Sequence, residues 1–325
     1  MSAAGAAARS VLITGASGLV GRQVVERLAS QADGPGTIVA LDLRQPPPEE
    51  QRSGVVYETL DIRNPELPKL LEQHAVDTVV HLAAVVTPGP TSSRELEYQI
   101  DVVGTQNVVD ACVATGVGQI VYTSSGAAYG YHADNPVPLR ESDPLRGNEA
   151  FAYAWHKRLA EEILARTRTD HPELLQLVFR VGTILGERVA SPITALFERP
   201  VVVGVRGSDA PFVLVWDEDV AACIMHGIDE RSAGVFNLCG DDAVALPEIA
   251  RRLGKPYLAL PAALLGGALA TAHKLGISAR GAEQVDFLRY RPVLANDALV
   301  NEFGFTPRFT SDECFEHYRQ IRFGS

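Results

Sequence analysis

Two small groups of residues in this sequence are suited to moving a proton. One is Tyr153 and Lys157, in the run Tyr-Ala-Trp-His-Lys; the other is Ser124-Ser125, within YTSSGAAYG at 122–130. On a helix, residues four apart lie one turn above each other on the same face, roughly 6 Å along the axis. Lys157 then sits beside Tyr153. A free phenol titrates at about 10, too high for a base at neutral pH, and a neighbouring ammonium favours the phenolate and lowers that value. Such a tyrosine exchanges a proton with a substrate hydroxyl. A serine hydroxyl opposite holds the same oxygen and shares its developing charge. Tyr-x-x-x-Lys also describes an interfacial tyrosine beside a surface lysine, so the chemistry depends on the elements around it.

Those elements begin at Ser10 to Leu28, SVLITGASGLVGRQVVERL. Val11, Leu12 and Ile13 form a short apolar run ending at Thr14, which predicts a strand buried on both faces. Gly15, Gly18 and Gly21 follow as G-x-x-G-x-x-G, and Val20, Val24, Val25 and Leu28 recur at helical intervals. Strand, glycine turn and helix is the order of a phosphate-binding βα unit. Glycine permits the sharp turn and lets backbone approach a pyrophosphate, which the helix N-terminus then holds. Thr37 to Asp42 reads as a second buried strand closing on an acid, 27 positions beyond Gly15. A carboxylate there accepts from both ribose hydroxyls and repels a 2′-phosphate, which predicts NAD in preference to NADP. Arg44 is the one nearby basic side chain that works against this.

Further strands are expected at Val55 to Leu60, Asp77 to His81, Gln119 to Thr123 and Leu174 to Phe179, the last ending at Arg180. Between them come helical patterns at 65–73, about 92–115 and 148–169. Leu82, Ala83 and Ala84 follow the fourth strand, and small residues there leave room for a flat cofactor. The alternation predicts an α/β fold with a doubly wound parallel (Rossmann) sheet. It also predicts an NAD-binding domain over 9–182. After Gly182 the rhythm breaks, and 183–325 reads as a smaller C-terminal α/β lobe for substrate, parts of which, such as 211–240, pack back on the large domain. The apolar stretch 258–272, LALPAALLGGALATA, is short of the roughly 20 residues that cross a bilayer. It reads as a packed helix or as an apolar wall of a substrate pocket.

Composition sets outer bounds. The 325 residues are 46% apolar and 21% charged, with a net charge of −11. That charge argues against nucleic acid and anionic membrane as partners. Four cysteines lack C-x-x-C spacing, which suits reduced, mostly buried thiols in a cytoplasmic protein. The eight histidines make no metal pattern. The opening MSAAGAAAR lacks the features of a signal peptide and reads as a disordered tail.

Taken together, TGASGLVG, Asp42, DIR at 61–63, HLAA at 81–84, DVVGTQN at 101–107, TSSGAAYG at 123–130 and YAWHK at 153–157 resemble the extended short-chain dehydrogenase/reductases, also called the NAD-dependent epimerase/dehydratase superfamily. The resemblance covers essentially 9–320. It implies Ser125 as the catalytic serine, Tyr153 as the base and Lys157 as its partner, also holding the nicotinamide ribose. Asp61 and Ile62 would contact the adenine. The expected cofactor set is Gly15, Ser17, Gly18, Leu19, Val20, Gly21, Asp42, Asp61, Ile62, Leu82, Ala83, Ala84, Thr123, Tyr153, Lys157 and Arg180, with no metal. The resemblance further implies a homodimer through the helices at about 92–115 and 148–169.

Departures from the family narrow the chemistry. Gly126 and Ala127 stand where its 4,6-dehydratases carry Asp-Glu, which disfavours water elimination. FRVGTILG (179–186) and PFVLVWDEDV (211–220) lack the Asn and His with which sugar-nucleotide members hold their substrate, and Asp101 replaces a frequent Asn. Arg188, Arg199, Arg206, Arg289 and Arg291 could still grip a diphosphate. The expectation is an NAD-dependent oxidoreductase acting on a secondary alcohol or ketone of a largely apolar small molecule. The alternatives are a nucleotide-sugar 4-epimerase with tightly bound NAD and a non-catalytic NAD-binding sensor or scaffold.

Overall fold

A computed structural model describes residues 9–32, 34–89, 92–275, 281 and 284–324. The tail expected at residues 1–9 lies, but for Arg9, outside these. The strands of the main sheet are β1 (Ser10–Thr14), β2 (Thr37–Asp42), β3 (Val55–Thr59), β4 (Thr78–His81), β5 (Gln119–Ser125) and β6 (Leu175–Val181), with a later strand, Gly234–Leu238, at the edge beside β6. Their spatial order is 3-2-1-4-5-6 followed by that edge strand. The pairs β1–β2, β1–β4, β2–β3 and β4–β5 are parallel. Strand order reverses direction between β1 and β4, and ligands of open α/β sheets bind outside the carboxyl ends at such a point. The α/β, doubly wound (Rossmann) expectation holds.

The first helix, α1 (Leu19–Ser30), buries Gly21, Val24, Val25 and Leu28, the face its sequence spacing marks. The helix expected at 65–73 is α2 (Leu67–Gln73). The pattern at 92–115 is helical but not uniform. It runs as α3 (Arg94–Tyr98), a π-helical stretch Gln99–Gly104, and α4 (Thr105–Thr115). Close packing accompanies the wider turn: a Cβ on Gly104 would come within 2.6 Å of the Ile62 side chain. Single π turns inside α-helices recur at functional sites. The helix carrying Tyr153 is α5 (Ala152–Asp170), starting later than the sequence pattern suggests.

The described chain falls into two compact units, 9–123 with 159–179 and 220–235, and 124–158 with 180–219 and 236–324. In the first, Leu12, Val39, Val79 and Ile120 from the strands pack with Val108, Val109 and Leu164 from the helices. In the second, the largest cluster gathers Phe197, Phe212, Trp216, Phe315 and Tyr318. That unit also holds β7 (Thr183–Leu185), α6 (Pro192–Glu198), β8 (Val202–Val205) and β9 (Leu214–Trp216), followed by α7 (Asp217–Asp229), which continues into the first unit.

The stretch 258–272 differs from the single packed helix of the sequence reading. Leu258 to Leu260 belong to a strand, Tyr257–Leu260, paired in parallel with β8. Pro261 ends that strand, and a helix follows at Ala262–Lys274. Among the described residues this helix packs through Leu265, with Ala262 and Leu269, against Val205, Val285 and Leu288. All four cysteines are buried and none forms a disulfide. Among the described residues no helix is long and apolar enough to cross a membrane, and no group of His, Cys, Asp and Glu is arranged to hold a metal.

Candidate active site

In the first unit, the turn after β1 is built by crowding. Gly15 has φ +69°, and a Cβ there would lie 2.7 Å from the Ala83 backbone nitrogen. A Cβ on Gly21 would lie 2.2 Å from the Gly15 carbonyl oxygen, so helix and turn press together. Gly18 caps α1 with no side-chain hydrogen bond to the helix start. The first N–H groups of α1 are thus not occupied by a capping side chain, which suits a phosphate. Leu19 and Val20 open the helix and are half-buried.

Asp42 ends β2 facing this turn. Its Oδ2 accepts from the Ser17 N–H at 2.9 Å and its Oδ1 from the Leu43 N–H at 2.7 Å. Ser17 in turn donates its hydroxyl to the Arg44 carbonyl at 2.8 Å. The acid expected to read a ribose therefore also tethers the glycine turn. Asp61 is gripped by Arg63, with Nε to Oδ1 at 2.9 Å and Nη2 to Oδ2 at 2.6 Å, and this hydrogen bonding holds its carboxyl below the usual carboxylate range. Ile62 beside it is buried. These features fit a bound dinucleotide: uncapped helix amides, a turn that admits no Cβ, and an acid at the second strand end.

Two residues that the sequence reading did not select lock the floor of this half-site. Thr14 Oγ1 lies 2.7 Å from His81 Nδ1 and accepts from the N–H groups of Leu82 and Ala83 at 3.2 and 3.3 Å. With those two N–H groups donating to it, the Thr14 hydroxyl gives its own hydrogen to Nδ1. His81 Nε2 then donates to Thr105 Oγ1 at 3.0 Å, and the Thr105 hydroxyl donates to the Asp101 carbonyl at 2.7 Å. This inventory assigns His81 the neutral Nε2–H form. The chain of bonds fixes Leu82 to Ala84 against the glycine turn. Asp101 is buried, and its Oδ1 accepts from the Val85 N–H at 2.7 Å. The sequence signal was a polar residue closing each of two apolar strands, LIT and TVVH, which pair in register at Thr14 and His81.

In the second unit, Ser125 ends β5 and caps a short turn, Gly126–Tyr129, by accepting from the Ala127 N–H at 3.1 Å. Its hydroxyl hydrogen takes no part in that bond. Ser124 is buried and Thr123, in the first unit, is half-buried. Lys157 is buried on α5, with Nζ 5.9 Å from the centre of the half-buried Tyr153 ring. The one-turn spacing brings ammonium and phenol together. Ala127, Tyr131 and Ala154 cluster with Phe151, Tyr153, Phe287 and Tyr290. The Tyr131–Phe151, Tyr131–Phe287 and Phe151–Phe287 ring centres are 5.1, 5.3 and 5.5 Å apart.

Arg180, expected among the cofactor contacts, is buried and engaged within this unit. Its Nη1 donates to the Tyr129 hydroxyl at 2.8 Å and to the Glu141 carbonyl at 2.9 Å, with the guanidinium 4.8 Å over the Tyr129 ring. Arg291 lies between two rings, its guanidinium carbon 3.9 Å from the centre of Phe212 and 4.6 Å from that of Phe287. Nη2 donates to Thr183 Oγ1 at 3.0 Å, while Nε and Nη1 are buried without a partner. Burial pushes its pKa down to about 10, which still leaves it charged at neutral pH.

The NAD dependent epimerase/dehydratase family model matches residues 11–238, and the chain belongs to that family, an extended short-chain dehydrogenase/reductase whose cofactor is NAD. An uncharacterized protein of Mycobacterium tuberculosis (strain ATCC 25618 / H37Rv) is 25% identical over 311 residues, 95% of this chain and 82% of its own. The UDP-glucose 4-epimerase of Erwinia amylovora is 28% identical over 187 residues, 54% of each chain. A short-chain dehydrogenase/reductase superfamily protein from Agrobacterium tumefaciens, solved with bound NAD, has a TM-score of 0.73 at 22% identity, covering 97% of this chain and 98% of that one.

Proposed function

We propose that this protein is an NAD-dependent oxidoreductase acting on a secondary alcohol or ketone of a largely apolar small molecule. Bound NAD supplies the site that takes up or gives back hydride. Gly15, Ser17, Gly18 and Gly21 hold its phosphates and Asp42 its adenosine ribose. Tyr153 exchanges the hydroxyl proton of the substrate, and the Lys157 ammonium favours the phenolate that accepts it. Ser125, already accepting from Ala127, donates its hydroxyl hydrogen to the same substrate oxygen and stabilises charge developing there.

The observation that carries this reading is the aromatic packing around Tyr153. An apolar ring or chain packed against Tyr131, Phe151 and Phe287 would gain burial there, and none of these three side chains carries a charge with which to grip a diphosphate. Gly126 and Ala127 offer no acid or base for dehydration. Exposed Leu96 and Val103 on the helical run 94–115 support the homodimer, and four buried thiols outside any disulfide support a cytoplasmic setting. The test is to supply purified protein with NAD⁺ and a panel of hydrophobic secondary alcohols and follow NADH. Turnover of at least one is expected; interconversion of a UDP-sugar without net NADH, and no reaction with the alcohols, rejects the reading.

One observation favours the second reading, a nucleotide-sugar 4-epimerase. Arg291 offers two buried N–H donors with no acceptor, and a charged fork of this kind suits a phosphate or carboxylate. Calorimetry with UDP, comparing wild type with Arg291→Met, separates the two: an affinity that the substitution abolishes supports the epimerase.

A further inference from the structure

A helix on the surface of a protein ordinarily turns a polar side outward. The helix Ala262–Lys274 does not. Its inward positions are Ala262, Leu265 and Leu269. Its outward positions, Ala263, Leu264, Gly267, Ala268 and Thr271, are exposed and nearly all apolar, with Lys274 the one charge at its end. Leu264 is 61% exposed, and Leu275, three turns further along the same face, is 68% exposed. Leu258, on the strand that leads into the helix, is 48% exposed. Exposed apolar side chains grouped along one helix face mark an interaction site.

The charge pattern selects the occupant. The whole chain carries 40 acidic residues among 325, yet Ile249 to Ala282 contains none, against five basic residues: Arg251, Arg252, Lys255, Lys274 and Arg280. Arg251 and Arg252 are answered by Glu248 and Asp312. Lys274 and Arg206 are exposed at the two ends of the helix, the Arg206 N–H bonding to the Leu260 carbonyl at 2.8 Å just before it begins. The acids closest in sequence to these two cations whose positions are described are Asp209, three residues after Arg206, and Asp286, twelve after Lys274. The chain-wide charge of −11 opposes an anionic surface, but its field is screened beyond about 8 Å at physiological salt, so the contact itself decides.

We propose that this face docks on an anionic lipid bilayer, with Leu264 and Leu275 entering the acyl boundary and Arg206 and Lys274 at headgroup level. The site reading above is not needed for it. A second copy of the chain is the competing occupant; it would present another such basic margin to this one, like charge against like.

The experiment is sedimentation with vesicles of phosphatidylcholine containing phosphatidylglycerol, alongside vesicles of phosphatidylcholine alone. Wild type is expected to pellet with the anionic vesicles, less so in high salt. The variant Leu264→Glu/Leu275→Glu is expected to lose about tenfold or more of that binding while keeping its circular dichroism and NAD affinity. The variant Arg206→Glu/Lys274→Glu tests the charge without touching the apolar residues, and is expected to show the same loss. Wild type remaining in the supernatant, equal binding to neutral vesicles, or undiminished binding by both variants overturns the proposal. A dimer dissociated by Leu264→Glu/Leu275→Glu, with no vesicle binding by wild type, assigns the face to a second copy instead.

Discussion

Replacing Gly15 by alanine separates two contributions to the phosphate-binding turn, backbone conformation and close approach. At φ +69° an L-residue is strained by about 1–2 kcal/mol. The new Cβ would also lie 2.7 Å from Ala83 N, 2.8 Å from Ala83 Cα and 2.9 Å from Leu82 C. These are backbone atoms held by the Thr14–His81 bonds, so relief requires moving a strand end, at about 1–3 kcal/mol. Reduced freedom of the unfolded chain returns about 0.4–1 kcal/mol. The net cost is about 1–4.6 kcal/mol. Gly116 is the control, in the same unit, with φ +71° and nothing within 4 Å of its Cβ position. Its alanine variant bears only the strain, a net of about 0–1.5 kcal/mol. Urea unfolding followed by far-ultraviolet circular dichroism reads the difference, and calorimetry with NAD reads the site. Gly15→Ala is expected to be the less stable and to lose NAD affinity, with Gly116→Ala binding normally. Equal midpoints and equal NAD affinities would refute the close-approach argument.

Two further outcomes follow from the chemistry of single groups. Tyr153→Phe is expected to lower kcat by about 10²-fold or more on any alcohol the wild type oxidises, and Lys157→Met to move the ascending, acidic limb of the pH–rate profile to higher pH, because the phenolate then forms less readily; an unchanged profile in the second removes the ammonium from its role. Burial pushes the thiols of Cys112, Cys239 and Cys314 up from their ordinary value of 9.0. An acid raised on folding favours the folded state below its unfolded pKa, so stability should hold below pH 9.0 and fall above it as the unfolded thiols ionise. Thiol titration with an aromatic disulfide should find none of the four cysteines reactive in the native protein and all four in urea; rapid reaction of any native thiol contradicts the burial.

Much of this molecule is written in local patterns. Apolar runs such as LIT and TVVH, spaced by helical segments, specify a parallel sheet because both faces of its strands must be buried. Gly15, Gly18, Gly21, Asp42, and Tyr153 with Lys157, are legible because their roles depend on spacing within one turn or one strand end. The tertiary structure decided what depends on partners distant in the chain. His81 is a strand-end histidine until Thr14 and Thr105, 67 and 24 residues away, bracket its two nitrogens. Arg180 closes a strand as a candidate cofactor contact, and only folding brings it to Tyr129, 51 positions earlier, as a bonded and stacked partner. The stretch 258–272 is apolar throughout, so periodicity gives it no preferred face; pairing with β8 makes its start a strand, and packing against Val285 and Leu288 fixes which side of its helix stays outside. A hydrophobic pattern reports how much surface a segment must hide, while the neighbours that hide it, or leave it open, are chosen by the whole fold.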